Sequence, residues 1–478
     1  MAATSKSSSS SGRRPLAMGV SSHPLLFPIV LFLLASLLFG VHLFISASKC
    51  QDTFCLSDSF AYYVLLEKGP FPGLSYFNGG LLLMPLLMLA HLFLDSVWSI
   101  RVIFALLTSA FFIAMTLFLS RIGVRRSMAV LFALIAVASF WWARISFGFL
   151  KNELGLLVLL GLAVCLLDWQ RKPTRANLVK TLALAFVLLL AHTSTFCFAV
   201  LSFIGWQLLV SLRARSRSSI LLLGAYVAAF ALIAAALAYL THEESLLPSM
   251  PNPTLAIITF FLLLAFASIF LGFYLRSPPS DASPLLLSFG LTALALGASG
   301  LITPSWGWRF ILDGWWAVNS LLALIICSPI NLHPPLLRPS SFVRSLLEPA
   351  MLFLTLLTLA VPMLSGWYVV NDMGQSYTFS DIQSLGRIVS ETRPAILVVP
   401  LSDDDLQYAA RLTGFRGQIL PTRCPAASNS AWFIGVDPRD TYSSLTPAVR
   451  ASIWDSYARQ LDGPIKKEGR FIFARCRA

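Results

Sequence analysis

The sequence predicts a polytopic α-helical membrane protein of roughly eleven crossings, with a small α/β domain at its C-terminal end. Three observations predict it. The 478 residues are 57% hydrophobic and only 12% charged, with a mean hydropathy of +0.76; a soluble domain rarely reaches that apolar content. The apolar residues fall into long runs separated by short polar segments. Near residue 370 the composition changes to that of a soluble domain. The formal charge of +13 sits at the ends of the apolar runs, where it signals topology, and forms no single basic face. No nucleic-acid partner is expected.

Taken in order, residues 1–23 are Ser-rich and read as a disordered cytoplasmic N-terminus. Residues 24–369 form the transmembrane domain. Its crossings are expected at 24–46, 99–119, 128–142, 153–168, 179–191, 196–212, 220–240, 255–275, 285–302, 314–330 and 346–369. The first run has no clear cleavage site and is read as a retained anchor. Residues 79–94 are apolar but short and contain Gly79, Gly80 and Pro85. Basic residues decide their role. If this segment does not cross, the clusters Arg121/Arg125/Arg126, Arg171/Lys172/Arg175/Lys180 and Arg213/Arg215/Arg217 are cytoplasmic. The outer side then holds only scattered Lys49, Lys68, Arg101, Arg144, Lys151 and Arg309. A crossing there would reverse the balance, against the positive-inside rule. Residues 79–94 are therefore read as a helix in the outer interface. The first extracytoplasmic loop runs over 47–98, and residues 370–478 form an extracytoplasmic α/β domain. The protein is expected in the plasma membrane.

Acidic residues, which played no part in that assignment, then gather on the outer side: Asp52, Asp58, Glu67, Asp95, Glu153, Glu243, Glu244 and Asp313. They suggest an outward-facing polar cavity; solvated loops are the plainer reading. Cys50, Cys55, Cys424 and Cys476 also fall outside, which suggests Cys50–Cys55 and Cys424–Cys476 disulfides, with free pairs as the alternative. In the C-terminal domain, 379–391 and 446–461 read as helices, with a further helix opening at 402–405. Residues 395–401, 418–421, 432–436 and 470–476 read as strands.

Four constellations could carry chemistry. In 49–72, KCQDTFCLSDSFAYYVLLEKGPFP, Asp52 and Asp58 lie among aromatics. If 57–63 is helical, Asp58 and Tyr62 share a face, and a carboxylate there can act as a general base; a simple helix cap is the alternative. In the second outer loop, Arg144 is followed by Lys151, Asn152 and Glu153 where a crossing begins. Lys151 could bind a phosphate, and Glu153 faces the positive end of its helix. His192 stands in a tight outer turn, His-Thr-Ser-Thr, suited to contact a phosphate or sugar. In 306–316, WGWRFILDGWW, Arg309 beside Trp308 suits a lipid phosphate, with an Arg309–Asp313 ion pair as the alternative. His242-Glu243-Glu244 is a weaker metal candidate.

This pattern resembles the GT-C class of membrane glycosyltransferases, which includes oligosaccharyltransferases, protein mannosyltransferases and aminoarabinose transferases. SDSFAYY (57–63) resembles the first-loop acidic motif, 144–153 takes the place of the second-loop motif, and Arg309 resembles the lipid-phosphate arginine. The resemblance implies a GT-C-like fold and an inverting transfer of a sugar from a polyprenyl-phosphate donor. The acceptor is a hydroxyl of a glycan, lipid or protein. Asp58 would be the base, with Asp52 or Glu153 orienting a substrate. Arg309, Lys151, His192, Tyr62, Arg144 and Trp308 would bind substrate. No cofactor is assigned, and a divalent Mg or Mn ion is left open, because Glu153 stands alone where the class has a paired acidic motif. The Trp-Trp-Asp acceptor motif of the oligosaccharyltransferases is also missing, since Trp315-Trp316 is followed by Ala317. A lipid-linked glycan transporter and a non-catalytic GT-C-like subunit are the alternatives.

Overall fold

The computed structural model describes residues 26–49, 62–63, 66–67, 81–139, 142, 150–214, 221–229, 231–232, 281–298, 304–327 and 378–399. In the C-terminal domain it also describes 406, 409–410, 413–420, 424–425, 430–437, 454–455 and 457–477. Ten helices are labelled here: α1 (Leu26–Lys49), α2 (Leu83–His91), α3 (Ser96–Arg121), α4 (Arg126–Ala138), α5 (Leu150–Arg171), α6 (Arg175–Ala191), α7 (Thr193–Arg213), α8 (Ser283–Ala298), α9 (Pro304–Cys327) and α10 (Phe379–Thr392). Among the described residues, four helices are long and apolar enough to cross a membrane: Leu26–Ser48, Ser96–Arg121, Leu150–Arg171 and Thr193–Arg213. This is compatible with an integral membrane protein. Two expected crossings, 255–275 and 346–369, lie outside the described residues, and 220–240 is described only at 221–229 and 231–232, where it is helical.

Local chemistry sets the helix ends. The Asp95 carboxylate accepts from the Trp98 amide at 2.8 Å and so caps the start of α3. Gly123, at φ 101°, turns the chain after α3 in a conformation that glycine adopts without cost. Thr174 caps α6 by accepting from the Asn177 amide. The helices then pack by named contacts. The Ser109 hydroxyl on α3 donates to the Ala35 carbonyl on α1 at 3.0 Å, and the His42 ring stacks on Phe104. Their spacing makes α1 and α3 antiparallel. Thr108–Glu153 and Arg121–Asp168 contacts make α3 and α5 parallel. One face of α1 stays exposed, Phe32 and Phe44 included, and suits lipid. On α2, Leu83 and Leu87 are buried while Met88 and Leu89 stay exposed, a short amphipathic helix inside the apolar segment 79–94.

The C-terminal sheet has five strands: β1 (Ile396–Val398), β2 (Gln418–Leu420), β3 (Ala431–Val436), β4 (Leu461–Glu468) and β5 (Phe471–Cys476). Their order is β2-β1-β3-β5-β4. β1 runs parallel to β2 and β3, and β5 runs antiparallel to β3 and β4. Gly469, at φ 58°, makes the tight turn between β4 and β5. A Thr378–Asp381 capping box opens α10, and Arg470 pairs with the same Asp381 at 3.2 Å. A disulfide joins Cys424 to Cys476. One cluster of buried apolar residues includes Ile100 of α3, Leu154 of α5 and Leu385, Leu397 and Phe471 of this domain, so the sheet domain sits on one end of the bundle.

Two elements differ from the sequence reading. Strand β4 was not expected, because Pro464, Lys466 and Lys467 interrupt the apolar alternation. It is an edge strand with a register shift between Asp462 and Lys466, where charge and proline are tolerated. The 306–316 segment, expected in an outer loop, lies on α9, which begins at Pro304. Asp313 is thereby carried into the bundle and is buried.

Candidate functional site

Polar side chains rarely enter an apolar helix bundle unless something binds or pairs with them. Among the described residues two carboxylates do. Glu153, in the first turn of α5, is fully buried. The Thr108 hydroxyl on α3 donates to its Oε1 at 2.5 Å. Its second oxygen, Oε2, is buried and has no hydrogen-bond partner among the described residues. The second carboxylate is Asp313 on α9, whose Oδ2 accepts from the Thr195 hydroxyl at 3.3 Å. Thr195 in turn lies 2.6 Å from His192 Nδ1, so an imidazole, a hydroxyl and a carboxylate are joined across α7 and α9.

The α6–α7 turn that carries His192 rests on α5. His192 is the single non-helical residue between the two helices, and Gly155 faces it. A Cβ on Gly155 would come within 2.9 Å of His192 Cβ and 3.3 Å of Thr195 Oγ1. Only a glycine lets the turn settle this close, two residues along α5 from Glu153. The two hydroxyl–carboxylate pairs thus involve four helices, Thr108–Glu153 joining α3 to α5 and Thr195–Asp313 joining α7 to α9, with Gly155 of α5 against the α7 end. Asn152 and Thr195 are also buried.

The sequence candidates divide. Glu153 and His192 are brought into this region. Lys151 lies half-buried in the first turn of α5. Tyr62 is buried in the apolar cluster beneath the sheet domain. Its neighbour Tyr63 has a hydroxyl pushed above the usual tyrosine range by burial, then by the charges of Glu67 and Asp95. Glu67 accepts from the Ser96 hydroxyl at 2.6 Å, which ties the first loop to the start of α3. Arg309 and Trp308 fall on the opening turns of α9, with Arg309 one turn before Asp313, and their side chains lie outside the described residues. Asp52, Asp58, Arg144, the Cys50–Cys55 pair and His242-Glu243-Glu244 also lie outside them. Among the described residues, no group of three or more His, Cys, Asp or Glu side chains could hold a metal ion.

Sequence reasoning missed Thr108, Arg101 and the burial of Asp313. A threonine inside an apolar run carries no signal. Arg101 reads as a boundary charge, yet it is buried, with its guanidinium 5.3 Å from the Trp98 ring centroid. Asp313 could have been placed by noting that 304–327 is continuously compatible with one helix. Among known proteins, no family model matches this chain and no curated protein matches it.

Proposed function

We propose that this chain is a membrane glycosyltransferase of the GT-C type. It transfers a sugar from a polyprenyl-phosphate donor to an acceptor hydroxyl on the extracytoplasmic side, with inversion. The observation that carries this reading is the Glu153 carboxylate, buried at the head of a spanning helix with one oxygen unpartnered among the described residues. A buried oxygen of this kind is costly until a donor reaches it, and a sugar presents several hydroxyl donors. A second buried carboxylate, Asp313 with the Thr195 hydroxyl on its Oδ2, adds polar groups of the same kind within the bundle.

In this reading Asp58 takes the proton of the acceptor hydroxyl, and the resulting oxygen attacks the anomeric carbon. The bond from that carbon to the phosphate oxygen breaks on the opposite face. Arg309, with Lys151, opposes the charge on the departing lipid phosphate. Glu153 holds the sugar in place through its hydroxyls. The test is sugar transfer from a polyprenyl-phosphate donor in reconstituted vesicles. Asp58→Asn should bind donor without turning over, and Glu153→Gln should lose turnover by about 10²-fold or more. Full activity of Asp58→Asn would remove Asp58 as the base.

A second reading, a transporter of lipid-linked glycans, is favoured by one observation: Glu153, Asp313 and Asn319 are buried within helices, where a polar path would need them. Vesicles that move a labelled lipid-linked glycan across the bilayer without forming a new glycosidic bond would select it.

A further inference from the structure

The end of the bundle opposite the sheet domain gathers positive charge. Because α3 and α5 run parallel, the α3–α4 turn and the α5–α6 turn meet there, joined by Arg121 of one and Asp168 of the other. Each turn is closed by its own hydrogen bonds. The Val124 amide donates to the Leu119 carbonyl at 3.0 Å, and the Thr174 amide to the Lys172 carbonyl at 2.8 Å. The Asn177 side chain donates to the same Lys172 carbonyl at 2.9 Å. Ile122 and Val124 turn inward and are buried. Arg125 and Arg126 stand exposed on the first turn, and Arg171, Lys172 and Arg175 on the second. The one acid in these turns and in the helix turns that flank them is Asp168, and Arg121 already takes it. That leaves Arg125, Arg126, Arg171, Lys172 and Arg175 without an acidic partner among the described residues. The Arg126 guanidinium lies 5.0 Å from the Phe27 ring centroid, which keeps its charge. Both α4 and α6 open on an arginine with no acid in the first turn, so the helix dipoles add to the positive potential instead of offsetting it. Like charges held this close repel until an anion joins them.

The neighbouring surface says which anion. Leu178, Val179, Leu182 and Phe186 are exposed on α6, and this apolar face begins within one turn of Arg175. Lys180 is exposed among them, as a cation that reaches for headgroups along an apolar stem does. A soluble polyanion could neutralise the cations but would leave the apolar face in water. One lipid molecule satisfies both. We infer that the corner where the α3–α4 and α5–α6 turns meet binds an anionic phospholipid. Its phosphate is opposed by Arg171, Lys172 and Arg175, with Arg125 and Arg126 adding to the field, and its chains lie on the exposed face of α6. The inference rests on the bundle spanning a membrane and not on sugar transfer.

The test is electron paramagnetic resonance of the full chain in phosphatidylcholine vesicles that carry spin-labelled phosphatidylglycerol or spin-labelled phosphatidylcholine. The fraction of each label held immobile at the protein gives the preference between them. Phosphatidylglycerol should be preferred by about five-fold or more, and added salt should weaken the preference. The triple variant Arg171→Gln, Lys172→Gln, Arg175→Gln should fall close to the phosphatidylcholine level, while Lys466→Gln in the sheet domain should leave the preference as it is. Equal immobilisation of the two lipids by the unaltered protein would overturn the inference. So would a preference that the triple variant keeps. Loss of the preference on adding glycerol phosphate, at matched ionic strength, would assign the corner to a soluble phosphate and overturn it as well. The unaltered protein with its salt and glycerol phosphate series decides the matter even if the triple variant fails to fold. No sugar donor is present, so failure here leaves the proposed transfer untouched.

Discussion

At the scale of single residues, the polar groups inside the bundle are held in pairs, and removing one partner costs more than removing both. Thr108 gives Glu153 the one hydrogen bond it has among the described residues. Thr108→Val should therefore destabilise the protein by about 1–3 kcal/mol, because it strands a buried carboxylate. Glu153→Leu removes the stranded group. The double variant should lose clearly less than the sum of the two single losses, a coupling that thermal unfolding in detergent micelles can read. How far each residue was legible follows from this. Glu153 and His192 stand out in the sequence because charge and imidazole are rare beside apolar runs. Thr195 is legible only as a hydroxyl in the turn that follows His192, and Thr108 not at all, since a threonine hydroxyl inside a helix usually satisfies itself on the preceding turn. Only the three-dimensional neighbour, forty-five residues away for Thr108, gives it another role.

At the scale of elements, close helix contacts depend on small residues where no hydrophobic force separates helix from lipid. Gly314 on α9 lies against Ala293 of α8, and a side chain there would meet Ala293 Cβ well inside contact distance. Gly314→Val should cost about 1–3 kcal/mol through overpacking. Ala293→Gly in the same chain should recover part of it, as melting of the purified variants would show. In the sheet domain, Cys424→Ser opens the disulfide to Cys476, which spans a sequence separation of 52. The domain should lose about 2–4 kcal/mol, seen as faster cleavage of 378–477 in limited proteolysis. Elements whose period matched their surroundings were readable in the sequence: α3, α5 and α7 as apolar runs, β3 and β5 as β-rich segments. Strand β4 was not, because an edge strand is specified by its partner β5 more than by its own alternation. The start of α9 was missed because tryptophans and an arginine read as an interface rather than as the first turns of a helix.

At the scale of the whole molecule, the side each end faces is open to a direct test. Lys172 lies between α5 and α6 at the end of the bundle where Arg121 pairs with Asp168, and Lys466 is exposed on β4. In a background lacking native cysteines, Lys466→Cys should react with an impermeant maleimide on intact cells. Lys172→Cys should react only after permeabilisation, and equal labelling of both would defeat the proposed orientation. The parallel pair α3 and α5 has one further consequence. It is bolted at two heights, by Thr108 on Glu153 and by Arg121 on Asp168, almost the same number of residues apart on each helix. The separation along either helix is about 20 Å at 1.5 Å per residue. Two fastenings at that spacing oppose sliding of α3 along α5, the buried Thr108–Glu153 contact more than the solvent-accessible Arg121–Asp168 pair. Glu153 therefore rides on the α3–α5 pair, whereas Asp313 is carried by α9, which is seated on α8 where Gly314 meets Ala293.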